Sequence, residues 1–226
     1  MAKLTFIGHA AVEIESEGYS VLIDPFISQN PVAKQRPEDF RPHAILLTHG
    51  HFDHVGDAVE IARRANCPIV ATFELASYCQ SKGAPEVVGM NTGGKKAFDF
   101  GTVQFVQAFH SSSLEGQYMG QACGILFTTK DGKTVYHAGD TALFGDMELI
   151  GRKGIDLALL PIGSHFTMDP EDAAVAAELL RPKEVIPIHY NTFDLIQQDP
   201  QKFKEQVEGR TSARVIVLEP GESHSF

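Results

Sequence analysis

Cysteine is scarce in this chain of 226 residues: there are three, Cys67, Cys79 and Cys123. They are odd in number and far apart, so neither a disulfide framework nor a CxxC zinc motif can be assembled from them, which fits a reducing compartment. Basic residues are in deficit, 19 against 29 acidic, for a formal net charge of −10. A protein that works by gripping nucleic-acid backbone needs a basic face, so that class is disfavoured, although a local basic pocket is not. No apolar stretch approaches the roughly 20 residues of a membrane-spanning helix. The opening "MAKLTFIGHAAVEIESEGYSVLIDP" alternates apolar and polar residues and lacks the unbroken hydrophobic segment of a signal peptide. A cytoplasmic location is expected. Also missing are a GxSxG motif and any Cys–His pairing, so no side-chain nucleophile announces itself.

What is present is ordinary for a globular protein, 43% hydrophobic and 21% charged. No linker, composition shift or low-complexity segment divides the chain, and we expect a single domain over 1–226 with its own core. "KLTFI", "AAVEIE" and "YSVLID" read as three short strands, with "SEG" as a hairpin turn. Residues 29–43 hold three prolines and no periodicity, and predict a long loop. "AILL" predicts a buried strand, "DHVGDAVEIARRA" one helix, "PIVA" a strand and "FELASYCQSK" a helix closed by Gly83. "KAFDFG" with "TVQFVQAF", and "CGILFTT" with "KTVYHAG", predict two hairpins. In the last third, strands "DLALLPI" and "EVIPIH" alternate with two helices that open on Asp-Pro, and "ARVIVLEPGE" predicts a closing strand and turn. Meanders followed by strand–helix alternation imply two mixed sheets covered outside by helices. "YSVLIDPF" and "KTVYHAGDTALF" echo one another, each a strand ending near an Asp, a faint sign of two related halves.

The densest chemistry is "THGHFDH", residues 48–54. Three of the ten histidines and an aspartate stand there, directly after an apolar strand. Neutral imidazole is the commonest zinc ligand, and carboxylates complete many catalytic sites. In an extended segment His49 and His51 point to one side. Asp53 and His54 are adjacent, point apart, and can serve a second centre, so one segment can address two metals about 3.5–4 Å apart. Further donors must come from other strand ends, where His110, Asp140 and His189 stand. Each alone is weak, since a strand-end histidine is often only a satisfied polar residue; together with the cluster they form a candidate set.

"THGHFDH" resembles the HxHxDH signature of the metallo-β-lactamase fold superfamily, and His110, Asp140 and His189 match its remaining ligand positions in order. With "FIGHA", "HAGDT" and "PIGSHFTM", the whole chain is similar to a group of small metal-dependent hydrolases, whose relatives include ascorbate-6-phosphate lactonases and phospholipase D-type enzymes acting on N-acyl phospholipids. The resemblance implies a four-layer αββα sandwich with its site at one edge. It also implies two divalent metal ions, zinc foremost, with manganese, iron or nickel tolerated by such donors. His49, His51 and His110 would hold the first and Asp53, His54 and His189 the second, with Asp140 bridging. The activity implied is hydrolysis of a small ester, lactone or phosphoester by a metal-bridging hydroxide, with Asp53 orienting it and moving a proton. Class B β-lactamases usually carry a cysteine in the second site and no bridging aspartate, unlike this chain.

Asp24, ending "VLID", resembles the superfamily's supporting aspartate. His9 in "IGHA" and His165 in "PIGSHFTMDP" are candidates for the substrate pocket, the latter beside a helix N-terminus able to hold an anionic group. His137 faces opposite to Asp140 on a regular strand and is expected in the core or between the sheets; His43 and His224 receive no role. "GMNTGGKK" (89–96) nearly spells a P-loop but has Lys96 where Ser or Thr belongs, so a glycine-rich hairpin approach is expected, with Lys95 and Lys96 available to a phosphate only if the loop folds over the site. The alternatives are a phosphodiesterase of nuclease type, opposed by the charge; an iron-dependent oxidoreductase, opposed in its flavodiiron form by His51 and the lack of a flavin domain; and a non-catalytic metal scaffold. A small-molecule substrate is the expected partner, nucleic acid is not, and self-association is left open.

Overall fold

The computed structural model describes residues 1–226. The first meander, β1 (Lys3–Gly8), β2 (Ala11–Ser16) and β3 (Tyr19–Ile23), is followed by β4 (Ala44–Leu46), β5 (Pro68–Thr72) and β6 (Glu86–Met90), which add in parallel. Helices α1 (Phe52–Val55), α2 (Ala58–Ala65) and α3 (Phe73–Ser81) connect these parallel strands. The second sheet begins with β7 (Lys95–Phe98) and β8 (Gly101–Gln107), interrupted by a small hairpin of β9 (Ser113–Leu114) and β10 (Gln117–Tyr118). It continues with β11 (Cys123–Thr129) and β12 (Thr134–His137), then β13 (Leu157–Pro161), β14 (Glu184–Ile188) and β15 (Arg214–Val215), with α4 (Met147–Gly151), α5 (Pro170–Leu180) and α6 (Pro200–Arg210) between them. The final strand, β16 (Ser223–Ser225), returns to the first sheet beside β1.

The sheets run β16-β1-β2-β3-β4-β5-β6 and β7-β8-β11-β12-β13-β14-β15. In both, antiparallel pairing gives way to parallel pairing at one strand, β3 in the first and β12 in the second. These are the strands of the "YSVLIDPF" and "KTVYHAGDTALF" echo. The alternation of β1 and β2 places Leu4, Phe6, Val12 and Ile14 against Val103, Phe105, Ile125 and Phe127 of the other sheet, in a core between the two. A second apolar cluster lies under α2 and α3, a third under α4, α5 and α6. The order is therefore helix, sheet, sheet, helix: an αββα sandwich. In α5 the buried face is mostly alanine, Ala173, Ala174, Ala176 and Ala177, which lets the helix lie close on the sheet.

The expected helix from Asp53 to Ala65 is two helices. Gly56 breaks it with φ of +41°, and a Cβ there would stand 2.5 Å from Pro25 O. Asp57 restarts the chain: its N–H donates to Pro25 O at 2.9 Å, and its carboxylate accepts from the N–H groups of Ile27 and Ser28 at 3.0 and 2.8 Å. This break ties the long 24–43 connection to the histidine loop. "ARVIVLEPGE" forms a strand only over Arg214–Val215. As expected, "GMNTGGKK" is followed by no helix: Gly89 and Met90 end β6, residues 91–94 make the connection, and Lys95 and Lys96 open β7.

Candidate metal centre

Because β3, β4, β5 and β6 run parallel, as do β12, β13 and β14, their C-terminal ends share an edge of each sheet. Asp24 follows β3, Thr48–His54 follow β4, Asp140 follows β12 and His189 follows β14, while His110 lies beyond the end of β8. Asp24, His9 and His189 all adopt left-handed backbone, φ of +47°, +60° and +56°. That conformation is unusual without glycine, and such strain concentrates at functional sites. Three polar ties hold the two edges together. Cys123 N–H donates to Thr48 O at 3.1 Å, His189 N–H to His9 O at 2.7 Å, and His137 Nε2–H to Ala10 O at 2.8 Å. Gly139 is needed at the same seam: with φ of +61°, its Cβ would stand 2.8 Å from Thr48 Cβ.

Asp140 is the hub. Its Oδ2 lies 3.1 Å from His189 Nε2, 3.4 Å from His110 Nε2 and 3.9 Å from His49 Nε2, and its Oδ1 lies 3.3 Å from His54 Nε2. The donors fall into two groups, His49, His51, His110 and Asp140, and His9, Asp53, His54 and His189, each with its ligand atoms within 4.8 Å of one another. Asp140 Oδ1 and His54 Nε2 are buried without a hydrogen-bond partner. Leaving such groups unpaired in the interior is costly; a cation between them satisfies both, and the donor set suits a divalent metal.

Asp24 prepares two of the histidines. Buried, it accepts from Thr48 N–H at 2.9 Å, from Thr48 Oγ1–H at 2.6 Å and from His54 Nδ1–H at 2.7 Å. With its hydroxyl proton committed to Asp24, Thr48 Oγ1 accepts from His49 Nδ1–H at 3.0 Å. In both rings the Nδ1–H is committed away from Asp140, so Nε2 is the atom each offers to a metal, the pattern of metal-ligating histidines. Burial pushes the pKa of His49 well down. Burial opposes charge on His54 as well, but Asp140 and Asp24 on either side hold it well above the imidazole range. This corner therefore attracts positive charge, and a cation bound there displaces the Nε2 proton. Asp140, despite burial, is held well below the usual carboxylate range by His189 and His54.

His9 is buried and fixed at both ends. Its Nδ1 is 2.9 Å from Thr192 Oγ1 and its Nε2 3.2 Å from Asp53 Oδ2. Burial, then the neighbouring His189, lowers its pKa to about 4, so the ring is neutral and carries one N–H. Asp53 would be raised by burial but is held low by that hydrogen bond and by His54, so it is an ionised acceptor. The His9 proton therefore sits on Nε2, and Thr192 donates to Nδ1. His9 is a donor to Asp53 here, with no lone pair left on the side facing the site.

The family model described as the beta-lactamase superfamily domain matches residues 19–190, most of the chain and nearly all of this centre. The chain belongs to the beta-lactamase superfamily. Within that superfamily it is 55% identical to a UPF0173 metal-dependent hydrolase of Geobacillus thermodenitrificans (strain NG80-2) and 51% identical to one of Pelotomaculum thermopropionicum, each match covering 98% of both chains. A solved structure, Igni18, described as a novel metallo hydrolase from the hyperthermophilic archaeon Ignicoccus hospitalis KIN4/I, superimposes with a TM-score of 0.91 at 41% identity, over 100% of this chain and 99% of that one. Like these relatives, this superfamily member is a metal-dependent hydrolase, with its histidines and aspartates gathered in two clusters.

The superfamily chain does not bring every candidate to the centre. His165 is exposed and stands outside the pocket wall; its ring lies against Phe166, which lines the pocket instead. Nor is the helix N-terminus beside it an anion site. Asp169 caps α5 with its own carboxylate, accepting from Asp172 N–H at 2.8 Å, and Glu171 and Asp172 add negative charge. Lys95 and Lys96 lie on the edge strand β7, Lys96 over the ring of Phe98, and neither lines the pocket. His137 is buried between the sheets as its strand position predicts, donating to Ala10 O and accepting from Gly139 N–H at 3.1 Å. Thr48 and Thr192 were not singled out by sequence. Thr48 opens the histidine motif and was legible in principle; Thr192 meets a partner 183 positions away and left no local sign.

Proposed function

We propose that this chain hydrolyses a small ester, lactone or phosphoester with the help of two divalent cations, zinc foremost. His49, His51 and His110 would hold one and Asp53, His54 and His189 the other, with Asp140 reaching both. One observation carries this reading: Asp140 gathers ring nitrogens from both sheets around a single carboxylate, with a buried oxygen of its own and His54 Nε2 left unpartnered. Cations held by these residues would supply a hydroxide nucleophile at neutral pH, since metal-bound water has its pKa lowered to about 7.

The protein's own groups do the rest. Asp53 is ionised, half-buried and at the floor of the pocket, with Oδ2 fixed by His9. In this reading it would take a proton from the attacking water and return it to the departing atom. Asp24 and Thr48 hold the rings of His54 and His49 with Nε2 toward Asp140, so little reorganisation would accompany the reaction.

The test is chelation. Protein stripped with EDTA should hydrolyse none of a panel of lactones, carboxylic esters, thioesters and phosphoesters, and zinc or manganese should restore whichever activity the native protein shows. Asp140→Ala should stay inactive after metal is returned. Turnover that survives both treatments refutes the reading.

A further inference from the structure

Above the candidate centre lies a pocket of about 510 Å³, a size that takes a small organic molecule. Its floor is made by residues of the centre itself. Apart from Ser111, its walls are hydrocarbon: Phe52, Phe166, Phe193 and Leu195. These come from three loops, those after β4, β13 and β14, and each loop delivers an apolar side chain next to the reacting position. Phe52 stands between His51 and Asp53 in sequence, and Phe193 packs edge-on against His9 with ring centroids 5.5 Å apart. Phe52, Phe166 and Leu195 are 56%, 52% and 62% exposed. Large apolar side chains gathered around one opening, and left in water, mark a binding surface.

No lysine or arginine lines this pocket. Lys82, in the depression on the other side of Phe52, is held by Glu115 at 2.9 Å. The α5 N-terminus beyond Phe166 is closed by Asp169. Cations held at the floor would meet the oxygens of the reacting group, but a charge carried elsewhere on the substrate would find hydrocarbon and the single hydroxyl of Ser111, and would lose most of its hydration.

Resting on the hydrolase reading, we propose that the pocket selects neutral esters or lactones whose non-reacting part is aliphatic or aryl, over substrates that carry a second charge. In the reaction the water oxygen forms a bond to the acyl carbon and the acyl–oxygen bond breaks. Of the two protons the water brings, one goes to the departing oxygen and the other is released to solvent, leaving a carboxylate and an alcohol.

The experiment compares zinc-loaded protein on p-nitrophenyl acetate, butanoate and hexanoate and on the mono-p-nitrophenyl ester of succinate, which share a leaving group. In parallel, ligand-observed NMR measures binding of N-methyl acetamide, butanamide and hexanamide, which are not turned over. Each buried CH2 is worth about a fourfold gain. Both kcat/KM and affinity should climb toward that factor per CH2, the succinate ester should fall at least about tenfold below the butanoate, and Phe166→Ala with Leu195→Ala should flatten both series. These two side chains are over half exposed, so the double variant keeps the core intact. Turnover with flat series, or with the succinate ester preferred, overturns the proposal and leaves the hydrolase reading standing. Rising affinity for the amides with no hydrolysis of any of these esters overturns carboxylic-ester hydrolysis as the reaction and keeps the pocket's selectivity. Flat affinity without hydrolysis overturns both.

Discussion

Asp24 does more at this centre than its place at a strand end suggests, since one buried carboxylate orients both His49, through Thr48, and His54. Asp24→Asn replaces an acceptor by a group that cannot take three hydrogen bonds. Metal affinity, measured by competition with a chromogenic chelator, should fall about 10- to 100-fold; an unchanged affinity contradicts the tautomer assignment. His137 gives a pH prediction. Burial lowers its pKa from the ordinary value, so below about 6.5 the unfolded chain takes a proton that the folded one refuses. Its contribution to stability is therefore lost as pH falls below that value and regained as pH rises. Urea unfolding at pH 7.5 and 5.5 should show a smaller pH dependence in His137→Gln than in the parent; equal dependence counts against it. Burial also raises Cys67 and Cys79, to about 11 and 12, and pushes Cys123 up further. A thiol reagent at pH 8 should label none in the native protein and all three in urea. The candidate ligands were legible because four of them crowd into seven positions, "THGHFDH", and three more end strands. His9's part was not, because its partners lie 44 and 183 positions away.

Elements were readable where they were long and periodic. The three opening strands, the hairpins and both Asp-Pro helices stand where alternation and capping place them. Those left unread are short or lack alternation: α4 has five residues, β9 and β10 two each, and β6 is an edge strand with no fully buried residue. The apolar spacing after the histidine motif carries across Gly56 and predicts one continuous helix, and only a tertiary contact with Pro25 shows the break. Gly56→Ala forces a Cβ into that contact at a positive φ. It should cost more than about 1 kcal/mol in urea unfolding, with weakened metal binding because α1 carries Asp53 and His54. An alanine variant of native stability would show that the break is permissive.

At the scale of the molecule, the two sheets repeat one plan, and the candidate centre lies on the seam between them. Asp24 and Asp140 follow the equivalent strands β3 and β12, so the sequence echo between these segments marks the pair of carboxylates around His54. What the sequence could not show is the distance across that seam, which depends on how closely the sheets pack at Gly139 and Thr48. Cations held by both edges would tie the halves together and stabilise the native state by about 2.7 kcal/mol at a metal concentration 100 times Kd. The most direct test is anomalous diffraction from crystals grown with zinc. Two peaks per chain are expected, about 3.5–4 Å apart, one beside His49, His51 and His110, the other beside Asp53, His54 and His189, with Asp140 between them. No peak at this edge, or a single one that Asp140 does not touch, would contradict a two-cation centre.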